Sequence, residues 1–131
     1  MESNYRHKNT SVSWLNYHFV WIVRRRRRVL TGSIKIRLEI LIDDAARSID
    51  CQVLNLAIEP EHIHLFLNCP PELAPSKIMH KIKGSTARYI RLEFPELKKL
   101  PSMWTRAYFV STAGNVASST IQQYIEAQGK D

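Results

Sequence analysis

An α+β fold of the ferredoxin-like (split βαβ, RRM-like) kind is what this chain of 131 residues predicts: an antiparallel sheet with two helices on one face, followed by a C-terminal helix. Three observations carry that reading. Residues 62–68 alternate in polarity except at Phe66, as a half-buried strand does. Two longer stretches, after residue 34 and after residue 74, repeat their apolar positions at helical spacing. Taken with the turn residues between them, the periodicities change in the order βαββαβ and end on one more helix. The length suits one domain, 1–131, with a real core, and is short for two.

The first strand spans 12–23, rich in aromatic and β-branched residues, and five arginines at 24–28 close it. Thr31-Gly32-Ser33 then offers a turn and a helix cap. Ile34, Leu38, Leu41, Ile42, Ala45 and Ile49 mark one face of an amphipathic helix of about four turns. Strands over 52–58 and 62–68 flank the short polar joint Glu59-Pro60-Glu61, which suggests an antiparallel hairpin. After Pro70-Pro71 a long helix begins near Ala74, with Pro75 in its first turn, and Pro95 stops it after Phe94. A helical turn at 96–100, a short strand at 108–111, a turn at 112–115 and a helix at 118–128 complete the chain.

Nineteen basic residues against twelve acidic ones leave a formal charge of +7, which favours a polyanionic partner or marks a merely basic surface. The two cysteines, Cys51 and Cys69, form no C-x-x-C pair and read as small buried hydrophobes in a reducing compartment. Residues 1–10 are polar, and no apolar run approaches the ~20 residues of a membrane span, so a soluble, cytoplasmic protein without a membrane partner is expected.

Alternation on the third strand puts His62, His64, Phe66 and Asn68 on one face and Ile63, Leu65 and Leu67 on the other. The second face meets the helices. The first presents two imidazoles about 7 Å apart, either unrelated surface histidines or a pair able to converge on one ion. On the last helix, Tyr124 and Gln128 stand one turn apart, while Ile121 and Ile125 face the core. The long helix carries Lys77, Lys81, Gly84, Arg88 and Arg91 along one face, with Lys83 nearby, and Ile78, Ile82, Ser85, Tyr89 and Leu92 on the adjacent, more apolar face. A solvated face is one explanation of the basic stripe. Against it, Glu93 is the sole acid of that helix, so the usual charge pairs are missing. Gly84 costs about 1 kcal/mol of helix stability, for which close approach of a phosphate or another chain is a motive. The run Arg24, Arg25, Arg26 and Arg27, extended by Arg28, reads as a solvated turn or a nucleic-acid contact.

Together these segments resemble the single-tyrosine HUH transposases of insertion sequences that move as single-stranded DNA, the TnpA or IS200-like type. The matching stretches are Tyr17-His18-Phe19-Val20-Trp21 with its basic exit, Glu59-Pro60-Glu61-His62-Ile63-His64-Leu65, and 78–84 with Arg88. Phe94-Pro95-Glu96-Leu97, Trp104 and Tyr108-Phe109-Val110-Ser111-Thr112 follow in order, and Gly114-Asn115 leads to Tyr124-Ile125-Glu126 and Gln128. An H-x-H pair by itself is unspecific; with Y-I-E-x-Q sixty residues later it is distinctive.

The resemblance implies that His62, His64 and Gln128 hold a divalent ion, Mg²⁺ or Mn²⁺, and that Tyr124 is the catalytic nucleophile on a DNA phosphodiester. It implies a prokaryotic homodimer acting on single-stranded DNA with imperfect hairpins, with no nucleotide cofactor. It also implies a continuous sheet across the dimer, in which Tyr124 of one chain would work with the histidines of the other, 112–115 giving the reach. The basic residues of the long helix and of 24–27 would contact DNA, with Trp21, Trp104 and Tyr108 available for base stacking if they are not in the core. A relative that processes repeated extragenic hairpins would share the same residues. A non-catalytic RRM-like module would instead show aromatics on the central strands, where His62 and His64 stand. Structural zinc lacks a fourth ligand, since His80 and the cysteines fit no familiar spacing.

Overall fold

The computed structural model describes residues 14–112 and 118–128. The N-terminal stretch 1–10 and most of the turn expected at 112–115 lie outside the described residues. The elements are β1 (Leu15–Ile22), α1 (Gly32–Ser48), β2 (Gln52–Ile58), β3 (His62–Cys69), α2 (Pro75–Glu93), β4 (Phe109–Thr112) and α3 (Ser118–Gln128). The strands form one antiparallel sheet in the order β2-β3-β1-β4, the spatial order of the split βαβ arrangement.

The alternation of β3 sorts its side chains as expected. Ile63, Leu65 and Leu67 are fully buried against the helices, whereas His62, His64 and Phe66 are half-buried on the other face. On β1, Tyr17, Phe19 and Trp21 join the helix-side core, while Val20 and Ile22 form a second small cluster with Ile125 of α3. The sheet is therefore covered on both faces, by α1 and α2 on one and by α3 on the other. This explains why β1 is buried through six consecutive residues despite alternating.

Leu38, Leu41, Ile42, Ala45 and Ala46 of α1 meet the sheet, and Ile78, Met79, Ile82, Thr86 and Ile90 of α2 do the same. Arg37 and Glu93 join the two helices at 2.7 Å. Tyr89 and Leu92, assigned to the apolar side of α2, are exposed at 46% and 56%. Both fall at the margin of the buried arc, where the sheet no longer reaches them. Thr31 occupies the N-cap of α1 but makes no side-chain capping bond, and Gly32 enters the helix at φ +56°, a backbone state that favours glycine.

Between α2 and β4 the chain makes a 3₁₀ turn (Pro95–Lys99) and is then laced to its surroundings. Arg24 N–H donates to Met103 C=O at 2.9 Å and Thr105 N–H to Ile22 C=O at 3.0 Å. The indole of Trp104 donates to Thr86 Oγ1 at 3.2 Å and sits edge-on to Trp21 at 6.0 Å. Trp21 and Trp104 are thus core residues, 0% and 5% exposed, so neither can stack on a base. Tyr108 is half-buried against Phe19, with the rings 6.1 Å apart. Cys51 and Cys69 are buried, as expected.

Candidate active site

The sheet face away from α1 and α2 gathers the residues that can do chemistry. Antiparallel register sets His64 opposite Val20 and His62 opposite Ile22. Ile125 packs into the cluster of Val20 and Ile22, so α3 lies on the strand that pairs with the histidines. Tyr124 is half-buried in the same cluster, its ring 5.9 Å from that of Phe109 on β4. Among the described side chains of this short helix, Ile125 and its neighbour Tyr124 hold it over the imidazole face.

The rings of His62 and His64 are 5.0 Å apart and inclined at 74°. This is closer than the strand repeat alone gives, because the side chains lean towards each other. Each imidazole has its Nδ1 turned to a neighbour. His62 Nδ1 lies 3.2 Å from Glu61 Oε1, and the carboxylate, an acceptor only, draws the proton to that nitrogen. His64 Nδ1 lies 3.1 Å from Nε2 of His18. Burial, with His62 and His18 nearby, pushes the His64 imidazole down to about 4, so it is neutral at physiological pH. A neutral imidazole with its Nδ1 engaged presents Nε2 to an ion, the usual state of a metal-ligating histidine.

The chemistry of this donor set fits a divalent ion. Among the described residues no group of three or more His, Cys, Asp or Glu is arranged so as to hold a metal ion. Gln128 is the expected amide donor. Its backbone ends α3, one turn beyond Tyr124, and its side chain, like that of Ile121, lies outside the described part.

His18 is the member of the site that sequence reasoning did not single out. It is 4% exposed, stacked flat on Phe66 at 4.1 Å, and edge-on to Phe109 at 6.2 Å. The signal was present: His18 alternates with Val20 and Ile22, and antiparallel pairing sets it diagonal to His64.

The predicted basic residues divide into groups. Arg24–Arg26 form a 3₁₀ turn at the His62 end of β1, with Arg25 and Arg26 at φ 57° and 53°. Arg25, Arg26 and Arg27 are exposed, whereas Arg24 is half-buried and donates to Ser102 Oγ at 3.1 Å. Arg28 reaches Glu61 at 3.4 Å, linking the arginine run through that carboxylate to His62. The stripe on α2 lies in the layer behind the sheet, on the opposite face from the histidines. Lys77, Lys81 and Arg88 are exposed there. Lys83 and Arg91 are turned inward: Lys83 Nζ donates to the carbonyls of Thr105, Arg106 and Ala107 at 2.7–3.1 Å, and Arg91 donates to Leu100 C=O at 2.9 Å. Burial pushes the Lys83 ammonium down to about 8, while three carbonyl dipoles favour its charged form; it is charged at pH 7 on either account.

Gly84 borders two shallow clefts, of about 290 and 320 Å³, that include Lys83, Arg106 and Tyr108 on one side and Lys81 and Arg88 on the other. A Cβ at Gly84 would meet nothing within 4 Å, so no internal packing accounts for the glycine.

The fold is that of a transposase. A crystal structure of a Deinococcus radiodurans protein described as a transposase has the same fold, with a TM-score of 0.87 and 29% identity over 94% of this chain and 97% of that one. The particular family is equally plain: the chain belongs to the IS200-like transposases, whose family model, "Transposase IS200 like", matches residues 11–128. Relatives include the ISDra2 transposase TnpA of D. radiodurans, 31% identical over 87% of this chain and 84% of its own length. The transposase of insertion sequence element IS200 from Salmonella typhimurium is 27% identical over 86% of this chain and 75% of its own. The REP-associated tyrosine transposase, solved bound to a REP hairpin, shares the fold at a TM-score of 0.59 and 16% identity, over 92% of this chain and 68% of that one. Among the described residues no helix is long and apolar enough to cross a membrane.

Proposed function

We propose that the chain cuts and rejoins single-stranded DNA at hairpin-bearing element ends, with Tyr124 as nucleophile and a divalent ion held by His62, His64 and Gln128. The observation that carries this reading is the shared sheet face: the helix bearing Tyr124 is anchored by Ile125 on Val20 and Ile22, the strand partners of His64 and His62. The reading includes a homodimer and a hairpin ligand, the latter in keeping with the REP hairpin bound by the structural relative.

A phenol with a pKa near 10 is a poor nucleophile at neutral pH. The ion, when bound, stabilises charge developing on the phosphate and orients the ester. Tyr124 Oη attacks phosphorus as the bond from phosphorus to the 3′ oxygen breaks. The phenolic proton passes to solvent, the 5′ phosphate stays on the tyrosine, and a free 3′-hydroxyl leaves. Rejoining reverses these steps with another 3′-hydroxyl. The phosphodiester energy is conserved in the link, so no nucleotide is consumed. Tyr124 is half-buried beside Phe109 and its Oη is itself buried, so the phenol has to turn outward from this packing to reach a phosphate.

The test is a cleavage assay on single-stranded DNA carrying the element ends, with Mn²⁺ or Mg²⁺. A denaturant-resistant protein–DNA adduct is expected in the wild type and absent from Tyr124→Phe and from chelated samples. Tight, metal-independent binding without any adduct would replace this reading with that of a non-catalytic binding module.

A further inference from the structure

His18 is one of the four buried polar or charged residues among those described, and the one that meets a candidate ligand of the ion. A buried imidazole is costly unless its nitrogens are paired. The pairing here is between two imidazoles, His18 Nε2 and His64 Nδ1, 3.1 Å apart, so one nitrogen must carry the shared hydrogen and the other must accept it.

The two possibilities differ in consequence. If His18 donates, His64 accepts at Nδ1 and, being neutral, keeps its own hydrogen on Nε2, which blocks that nitrogen as a ligand. If His64 donates from Nδ1, its Nε2 lone pair is open and His18 accepts, holding its hydrogen on Nδ1. The second state alone serves an ion at His64 Nε2. The surroundings prevent His18 from evading the choice: its ring lies parallel to Phe66, at 7° and 4.1 Å, with Phe109 at its edge. Glu61 does the same for His62 by a different chemistry, at 3.2 Å. That carboxylate has Arg28 for company and is only partly buried, whereas an ionised carboxylate at the position of His18 would face desolvation among aromatic rings.

We propose that His18 is a positioning residue, a neutral acceptor that holds His64 in the tautomer with Nε2 directed to the metal. The inference rests on the metal-binding part of the proposed function and deepens it. A stacking residue of the core would need only the ring; a positioning residue needs the acceptor nitrogen.

The experiment measures Mn²⁺ affinity by electron paramagnetic resonance of the free ion, on wild type, His64→Ala, His18→Phe and His18→Gln. His18→Phe keeps an aromatic ring for Phe66 and removes the acceptor; His18→Gln restores an acceptor oxygen. Expected is a ~10–100-fold loss of affinity in His18→Phe, with partial recovery in His18→Gln. In the cleavage assay kcat should fall while KM for DNA is unchanged. Wild-type Mn²⁺ affinity in folded His18→Phe overturns the proposal and leaves the metal site intact. Equal affinity in wild type and His64→Ala, or no binding by wild type, overturns the metal reading and this inference with it. Long-range ¹⁵N–¹H spectra of Mg²⁺-loaded wild type test the tautomer directly, without a variant. The hydrogen of His64 is expected on Nδ1, and a signal showing it on Nε2 overturns the proposal.

Discussion

Ile125 of α3 packs with Val20 of β1, and Val20 is the residue paired across the sheet with His64. Among the described side chains, the tyrosine helix is held over the histidine face by Ile125 on Val20 and Ile22 and by Tyr124 beside Phe109. Most of the core lies on the other side of the sheet, between β1, β3, α1 and α2.

Ile125→Ala is expected to separate the two sides. Large-to-small changes in a core cost about 2–5 kcal/mol, but here the loss falls on a peripheral helix that can fray without unfolding the sheet. Adduct yield should drop at least tenfold while the thermal midpoint moves far less than for Leu65→Ala. Hydrogen exchange on α3 should rise selectively. Equal destabilisation by the two variants would mean that α3 is integral to the global core.

The donor set predicts the response to metals. Two imidazoles and one amide oxygen are softer than Mg²⁺ prefers, so Mn²⁺ should support cleavage at least as well as Mg²⁺, and chelation should abolish it. The check is adduct yield against the concentration of each ion. Activity in Mg²⁺ with none in Mn²⁺ would contradict the assignment of His62 and His64 as ligands.

In the metal-free protein His64 should make stability sensitive to acid. Its folded value, about 4, lies below the ordinary 6.5, through burial first and then His62 and His18. As pH falls the unfolded chain takes up this proton before the folded one. The contribution is therefore complete above pH 6.5 and is lost progressively on the way down to about 4. Allowing for solvent screening of a half-exposed ring, the loss is about 1 kcal/mol. Urea midpoints at pH 7.5 and 5 should differ less in His64→Gln than in wild type; parallel shifts would remove His64 as the cause.

The elements were legible because their signals are local. Pro75 and Pro95 bracket α2, and the alternation 62–68 assigns both faces of β3 without tertiary information. The pairing of His62 with His64 followed from that alternation. Three features were hidden because they depend on distant partners. The side of the sheet taken by α3 is decided by the match of Ile125 to Val20 and Ile22, more than a hundred residues earlier. His18 acquires its role through strand register with β3. Lys83 looks like one more cation of a basic helix, and only the carbonyls of 105–107 set it apart.

That last distinction yields a prediction of its own. Lys83→Met removes the donor to three carbonyls and should cost about 1–3 kcal/mol, lowering the thermal midpoint by about 5–10 °C. Lys77→Met, Lys81→Met and Arg88→Met replace exposed groups and should stay within about 0.5 kcal/mol of wild type. The order reverses for DNA. If the exposed stripe contacts phosphates, each of these three substitutions should weaken single-strand binding and flatten the salt dependence by about 0.7 in log–log slope. Lys83→Met should leave that slope unchanged at temperatures where the variant is folded, because its ammonium is already committed within the chain. Melting curves and filter-binding titrations at several salt concentrations decide both halves. A stripe variant with an unchanged slope would return that residue to the class of ordinary solvated cations, and a flattened slope in Lys83→Met would show that its ammonium leaves the carbonyls to meet DNA.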